Sequence, residues 1–553
     1  MPAMATVTTE VPFRSHHDLL QHRELLLEEG IQRGDFTPLM LHEAVIPLLL
    51  LLIPLLIPWG NHAVSKLVRY LFFMLIVGLL IHAIFSRRAL GLIHGYGIGL
   101  ASSWLIVSSA ALLIFNDVQR SFKRIERKVA PLHRSQATNA PQVESSSSGA
   151  TKRGDLDGLA ARSGQNGHHS QHSTSAAGSV LQGPTQQVLR WQSYPISFLH
   201  RLDWVLDLVV SFRGSGWNWR VTSQPALPKE VVHQLEGNMP TSSKDSTRED
   251  AWHCFRSALL SWAVSFIMLD AVKVLMNRDP YFWGFTSPAP SPPFPFSYLA
   301  FSPLLVRVYR LLLVGFGTMV ALKNLMSYQP IFCLGFALLF PRQSRALTDK
   351  PLDAVWLYPK QFGSFTEVLD NGLEGGWSMW WHQLFRFGFS ETARWLISFL
   401  PAKLQKNVPT RRTVRVLVVF CVSGFIHTCG SYTHFPATQP LHQFLFFFLQ
   451  AVAVITRSFW SEITGHKQLP VQQSQRWRHR TINLVGVSLW LLLTAPLIVD
   501  DWSKGGLWLY EPIPISPLRG LGFGVQGEGW WCWGPWFRWR NGGSWWQTGW
   551  QIL

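Results

Sequence analysis

Cysteine is scarce in this chain, with 5 in 553 residues, and no two of them form a C-x-x-C pair. Cys254, Cys333, Cys421, Cys429 and Cys532 lie mostly in apolar surroundings, which argues against both a disulfide framework and a zinc site. Reduced, structural thiols and no metal centre are expected. Charge is thin as well: 15% of residues are Asp, Glu, Lys or Arg, and the 32 acidic residues are outnumbered by 49 basic ones, a balance of +17. The basic residues cluster at the ends of apolar runs, as the positive-inside rule requires, so the surplus reads as membrane topology and a nucleic-acid partner is not expected. The chain has no Asn-x-Ser/Thr sequon and no long-period internal repeat. The missing repeat counts against transporter folds built from duplicated halves. Residues 1–36 lack the basic-then-apolar order of a cleaved signal peptide, so the first span is expected to act as the insertion signal.

What the chain has in quantity is apolar sequence. Hydrophobic residues make up 47%, spread over many runs, and the mean hydropathy is +0.12. Runs near the roughly 20 residues needed to cross a bilayer occur at Leu39 to Pro58, Leu67 to Phe85, Leu92 to Phe115, Phe255 to Met276, Tyr298 to Leu322, Val416 to Tyr432, Leu441 to Trp460 and Ile482 to Val499. The shorter Tyr328 to Phe340 reads as re-entrant. Arg386, Glu391 and Arg394 interrupt the run from Leu384 to Leu400, which suits a surface or re-entrant helix. The expected fold class is an all-α, polytopic integral membrane protein with about eight to ten transmembrane or re-entrant helices. Residues 1–38 form a polar segment, 39–116 the first three spans, 117–190 a polar insert, 191–500 the region carrying candidate chemistry and 501–553 a Trp-rich tail. Within the insert, His133 to Ser179 is rich in Ser, Gln, Gly and His, too polar to offset its ordering entropy, and is expected to be disordered.

Chemistry points first to His427. It stands in Ser423-Gly424-Phe425-Ile426-His427, inside a run apolar enough for a bilayer, where an ionisable ring costs stability and is a functional-site candidate. At about 100° per residue, Phe420, Ser423, Gly424, His427, Gly430 and Ser431 share one broad face. Those small residues either admit a neighbouring helix or leave room for a ligand. The rise from Thr413 to His427 is about 21 Å, so a reactant from the basic side needs a long thin arm, which the pantetheine of coenzyme A provides. Burial penalises the imidazolium, and the uncharged ring is the form that accepts a proton from an alcohol. A tetrahedral oxyanion would need a donor nearby, for which His382, Gln383 and the Trp381 indole in Trp380-Trp381-His382-Gln383-Leu384-Phe385-Arg386 are all candidates. The bland alternatives are a packed, satisfied histidine and an interfacial Trp/His/Arg anchor. Arg213-Gly214-Ser215-Gly216-Trp217-Asn218-Trp219-Arg220 offers Arg213 and Arg220 for phosphates, although anchoring at headgroups serves equally. Asp270 with Lys273, and Arg307 with Arg310, read as inter-helix ion pairing or snorkelling.

The tryptophan-histidine motif followed at a distance by Ser423-Gly424-Phe425-Ile426-His427 resembles the paired motif of wax-synthase-like membrane-bound O-acyltransferases. Phe362-Gly363-Ser364 and Arg213-Gly214-Ser215-Gly216-Trp217 are similar to elements of that group's fungal branch, acetyltransferases of terpenoid and mycotoxin pathways. The resemblance covers about Trp191 to Trp533. It implies a multi-pass enzyme of the endoplasmic reticulum that moves an acyl group, most simply acetyl from acetyl-CoA, to a hydroxyl of a lipophilic small-molecule alcohol. No bound cofactor and no obligate protein partner are implied; acyl-CoA is a co-substrate. The family's buried catalytic histidine maps onto His427 and its second catalytic position onto His382, where many relatives in the wider superfamily have asparagine. Trp381, Gln383, Arg386, Ser423, Arg213 and Arg220 are the candidate substrate and acyl-CoA contacts. Members tend to carry basic residues just before the tryptophan, where this chain has Ser378 and Met379. A long-chain wax-ester synthase is the nearest rival reading, and a transporter whose histidine lines a pathway is the rival from another class.

Overall fold

The computed structural model describes residues 12–131, 185–237, 248–463 and 476–553. Among the described residues six helices are long and apolar enough to cross a membrane: His62–Ser86, His94–Phe115, Arg248–Arg278, Pro303–Leu339, Val408–Tyr432 and Pro440–Trp460. A seventh span arises if Arg476–Thr494 and Pro496–Gly505, bent by 43°, count as one. Leu41–Leu56 is a shorter apolar helix with Pro47 and Pro54 inside it. This is a polytopic, mainly helical membrane fold, and most apolar side chains of its outer helices point outward, as Leu71, Met74 and Phe85 do. Lipid, rather than protein, solvates such faces. One helix stands apart: half of the apolar window of His94–Phe115 is buried inside the protein, against a smaller share in each other span. It packs against both Val408–Tyr432 and His62–Ser86.

One expectation changes in detail. Tyr328 to Phe340 is no separate re-entrant piece. It continues the helix Pro303–Gln329 through a π-turn at Pro330–Leu334 into Gly335–Leu339, because the proline costs only a local widening of the turn. The polar N-terminal segment contains a helix, His16–Arg33, capped by Ser15 and closed by Gly34 at φ 82°. Arg23 docks that helix on the core by donating to the carbonyls of Trp283 (2.7 Å) and Gly505 (3.3 Å).

A small polar cap flanks the helices. Strand Arg124–Pro131 pairs antiparallel with Thr185–Gln192, with Ile125 opposite Trp191. The intervening stretch, including the expected disorder of His133 to Ser179, lies outside the described residues. Arg124 is fully buried at the base of this hairpin, donating to Gln192 (2.9 Å) and Asp203 (2.6 Å). In the Trp-rich tail, Phe537–Arg540 pairs with Gly549–Ile552, and the Ile552 amide donates to the Leu39 carbonyl. Trp530, Trp531, Trp539, Trp545, Trp546 and Trp550 remain exposed. All five cysteines are unpaired.

Of the charges singled out in the sequence, Arg310 and Lys273 are paired, Asp270 is hydrogen-bonded and Arg307 is exposed. Arg310 holds Asp279 through two bonds of 2.9 and 3.0 Å, and Lys273 stands 3.5 Å from Glu511. Asp270 accepts from the Leu518 amide at 2.9 Å and from the Ser516 hydroxyl.

Candidate active site

The His427 helix, Val408–Tyr432, begins where the Asn407 side chain accepts from the Thr410 amide and Pro409 presets the first turn. Its small residues serve close approach. A Cβ added at Gly424 would meet Phe444 at 3.1 Å, and one at Gly430 would meet the Tyr96 ring at 3.0 Å. Across the interface, a Cβ at Gly99 would fall 1.8 Å from the Cys429 carbonyl oxygen. Thr433 fastens the same contact, accepting from the Gly99 amide at 3.0 Å and donating to the Gly95 carbonyl at 2.8 Å. Of the two uses that sequence allowed for the small face, helix apposition is the one observed at Gly424 and Gly430.

That apposition sets the imidazole. His427 Nδ1 lies 2.7 Å from the Tyr96 hydroxyl, while the ring stacks on Phe447 with centroids 4.6 Å apart and planes at 21°. His427 is half-buried, and its Nε2 has no hydrogen-bond partner among the described residues. Tyr96 is buried and also donates to Gln443 Oε1 at 3.1 Å. Gln443, wholly buried, donates through Nε2 to Asp501 Oδ2 at 2.8 Å. Ser431 donates to the same oxygen at 2.6 Å, and the Gln439 amide reaches Asp501 Oδ1 at 2.5 Å. Tyr96, Gln443 and Asp501 escaped the sequence reading. The usable signal was polarity inside apolar runs, the same one that picked out His427.

The second histidine sits on a braced turn. Gln383 Nε2 donates to the carbonyls of Trp377 (2.9 Å) and Trp381 (2.7 Å), and Arg386 donates to Ser378 O (2.7 Å) and Gln383 Oε1 (2.9 Å). Gly363 lets its strand of chain lie against this turn: its amide donates to Trp380 O at 3.0 Å, and a Cβ there would fall 2.2 Å from Met379 O. With the Gln383 amide committed, His382 and the Trp381 indole are the groups left with free donor capacity. His382 Nδ1 is buried and unpartnered among the described residues. Burial pushes the His382 imidazole down to about 4, and the Arg213 charge adds to the effect.

Aromatic rings connect the two histidines. Trp381 contacts His382 at 5.3 Å and Trp377 at 6.2 Å, and Trp377 meets Phe420 at 5.8 Å and Phe447 at 6.1 Å. Phe447 carries the His427 ring, so the two histidines stand at the two ends of one run of touching aromatic rings. His427, His382 and Trp381 are therefore brought to one apolar, aromatic-walled region. Ser423 is half-buried on the same helix. Arg213 is spent on the carbonyls of Pro359 and Lys360, both at 2.9 Å, so it tethers the chain ahead of the motif. Arg220 donates to the Pro225 carbonyl in its own loop. Away from this region, His16, His17 and Glu528 hold ligand atoms within 4.8 Å of one another, a geometry open to a metal ion.

A half-buried imidazole with one nitrogen unpartnered among the described residues, a second histidine and an aromatic wall stand together inside a polytopic helical fold. The model described as Membrane bound O-acyl transferase family matches residues 358–449, which contain both histidine motifs. The chain is 26% identical over 297 residues to the O-Mevalon transferase macI of Penicillium terrestre, covering 51% of this chain and 59% of that protein. It is 26% identical over 255 residues to the O-Mevalon transferase yanI of Aspergillus niger, covering 45% and 49%. To the Acetyltransferase spyB of Aspergillus fumigatus it is 24% identical over 330 residues, covering 57% and 48%. The chain thus spans about half the length of the curated relatives it matches. No solved structure matches.

Proposed function

We propose that this chain is an acyl-CoA-dependent O-acyltransferase that moves an acetyl group from acetyl-CoA to a hydroxyl of a lipophilic fungal secondary metabolite, a terpenoid or meroterpenoid, in the endoplasmic reticulum. The observation that carries the reading is the unpaired Nε2 of His427 at the end of an aromatic-walled region that also holds His382. In this reading Nε2 takes the proton from the acceptor hydroxyl as its oxygen attacks the thioester carbonyl carbon. A C–O bond forms, and the developing oxyanion is met by a donor, His382 Nδ1 or the Trp381 indole. The intermediate collapses, the C–S bond breaks, and the departing thiolate takes the proton from the imidazolium to leave as CoA. Aromatic, apolar walls within a membrane fold suit a lipophilic acceptor, and the names of the relatives, transferases and acetyltransferases, agree with the chemistry.

The test is CoA release in microsomes holding the full chain, with acetyl-CoA and palmitoyl-CoA supplied in parallel to a panel of lipophilic alcohols. Transfer of acetyl and its loss in a normally inserted His427→Ala variant are the expected results. Preference for palmitoyl-CoA would make the chain a wax-ester synthase. A fully active His427→Ala enzyme would remove the assignment.

A further inference from the structure

A general base must present a lone pair, and a neutral imidazole carries its one proton on either of two nitrogens. Which nitrogen holds it is set by the group bonded to the other. Around His427 that group belongs to a chain of hydrogen bonds whose direction follows from valence alone. The Gln439 backbone amide and the Gln443 side-chain NH2 can only donate, and both meet Asp501, at 2.5 and 2.8 Å. With its NH2 on the carboxylate, Gln443 turns its carbonyl oxygen to Tyr96, 3.1 Å away. The opposite setting of that amide would press two acceptors together in a buried site, which costs the full desolvation of both. The carbonyl oxygen carries no proton, so the single proton of Tyr96 lies on that bond. The Tyr96 oxygen therefore faces His427 Nδ1, at 2.7 Å, as an acceptor. Nδ1 must donate.

We infer that Asp501, Gln443 and Tyr96 are positioning residues that lock His427 in its Nδ1–H tautomer and so hold the Nε2 lone pair ready as the base; this deepens the acyltransferase reading and rests on it for its catalytic meaning. The arrangement does for this imidazole what a buried aspartate does for the histidine of a Ser-His-Asp triad. Here the carboxylate acts through two neutral side chains. The lock is set before any reactant binds, because every member is protein. It also persists through turnover: once Nε2 is protonated, Nδ1–H still points at the Tyr96 oxygen, whose own proton points down the chain toward Asp501.

The polarity can be inverted by one substitution that barely changes volume. In Asp501→Asn the Gln439 amide still needs an acceptor, so the new side chain keeps its oxygen there and turns its NH2 toward Gln443. Gln443 then presents NH2 to Tyr96, Tyr96 donates to Nδ1, and the proton of His427 moves to Nε2. The full-length protein, labelled with 15N-histidine and held in lipid nanodiscs, reports this directly by NMR. The chain has 20 histidines, so the His427 signals are taken as the difference from His427→Gln.

The expected wild-type pattern is a protonated Nδ1 and an unprotonated Nε2, exchanged in Asp501→Asn and mixed in Tyr96→Phe. Turnover is read alongside, with acetyl-CoA and farnesol as probes. A wrong tautomer costs about 10⁴-fold in triad enzymes. A kcat loss of about 10²-fold or more, with KM for acetyl-CoA within twofold, is expected for Asp501→Asn, and Gln443→Met serves if that variant fails to fold. A protonated Nε2 in the wild-type protein, or full turnover in Tyr96→Phe, would overturn the lock. Should no alcohol be acylated while the tautomer pattern holds, the acyltransferase reading fails and the lock stands.

Discussion

Replacing Gly99 with alanine tests how the site is assembled. The added Cβ would lie 1.8 Å from the Cys429 carbonyl oxygen and 2.2 Å from its carbon. These are backbone atoms of the His427 helix, so no side-chain rotation relieves the clash. Restoring an ordinary contact of about 3.5 Å requires the two helices to part or shear by about 1.7 Å. The 2.7 Å bond between Tyr96 and His427 would then stretch beyond the roughly 3.6 Å at which no hydrogen bond remains. Overpacking costs about 1–3 kcal/mol and the lost bond about 1 kcal/mol, offset by up to about 1 kcal/mol of better helix propensity. A net loss of about 1–3 kcal/mol follows. The assay is thermal unfolding of the solubilised full chain, with acetyl-CoA-dependent CoA release measured beside it. Gly78→Ala, in a helix where nothing lies within 4 Å of the added atom, is the control and should be neutral or slightly stabilising. If Gly99→Ala and Gly78→Ala melt together and turn over equally, the close approach of these helices does not position the imidazole.

Three further outcomes are expected. Burial holds the His382 imidazole near 4 against 6.5 in the unfolded chain; a lowered histidine value makes the folded state gain stability as pH rises through that window and lose it as pH falls from about 6.5 toward 4. His382→Asn should therefore show a shallower drop in melting temperature between pH 7 and 4.5 than the wild type, and parallel curves would contradict the burial argument. Arg519 donates to Glu511 at 2.7 Å and to Glu528 at 3.3 Å, all nearly sealed from solvent; Arg519→Met should cost about 3–5 kcal/mol, because it strands buried carboxylates. A cost below about 1 kcal/mol in chemical unfolding would show that this network carries little. Replacing residues 132–184 with a two-residue Asn-Gly turn should leave turnover and melting unchanged, since the Arg124–Pro131 and Thr185–Gln192 strands already close the hairpin at its base. A large fall in either quantity would assign the insert a part in the fold or the reaction.

The helices and His427 were legible because both announce themselves locally: a long apolar run needs no partner to be recognised, and one ionisable residue inside it stands out. His382 needed its neighbours Trp381 and Arg386 as a motif. The remaining parts of the site were opaque for a physical reason. Tyr96 sits in a glycine-bearing apolar stretch and resembles any packed aromatic, while Gln443 and Asp501 resemble ordinary helix polar groups. Their meaning lies in hydrogen bonds that span helices, which only tertiary packing reveals. Gln383 illustrates the converse. The motif nominates it as a contact for the reactants, yet its amide is consumed by the Trp377 and Trp381 carbonyls, a local competition that composition does not display. Arg213 is similar, with its guanidinium engaged by Pro359 and Lys360.

Tyr96 and His427 are separated by 331 residues, and Asp501 follows later still. A ribosome threading this chain into the bilayer releases the tyrosine-bearing helix long before the imidazole exists, and the imidazole before the carboxylate that orders its protons. During biogenesis the nascent protein therefore lacks the hydrogen-bond chain that fixes the His427 ring, which closes only when the last of these segments has entered and docked.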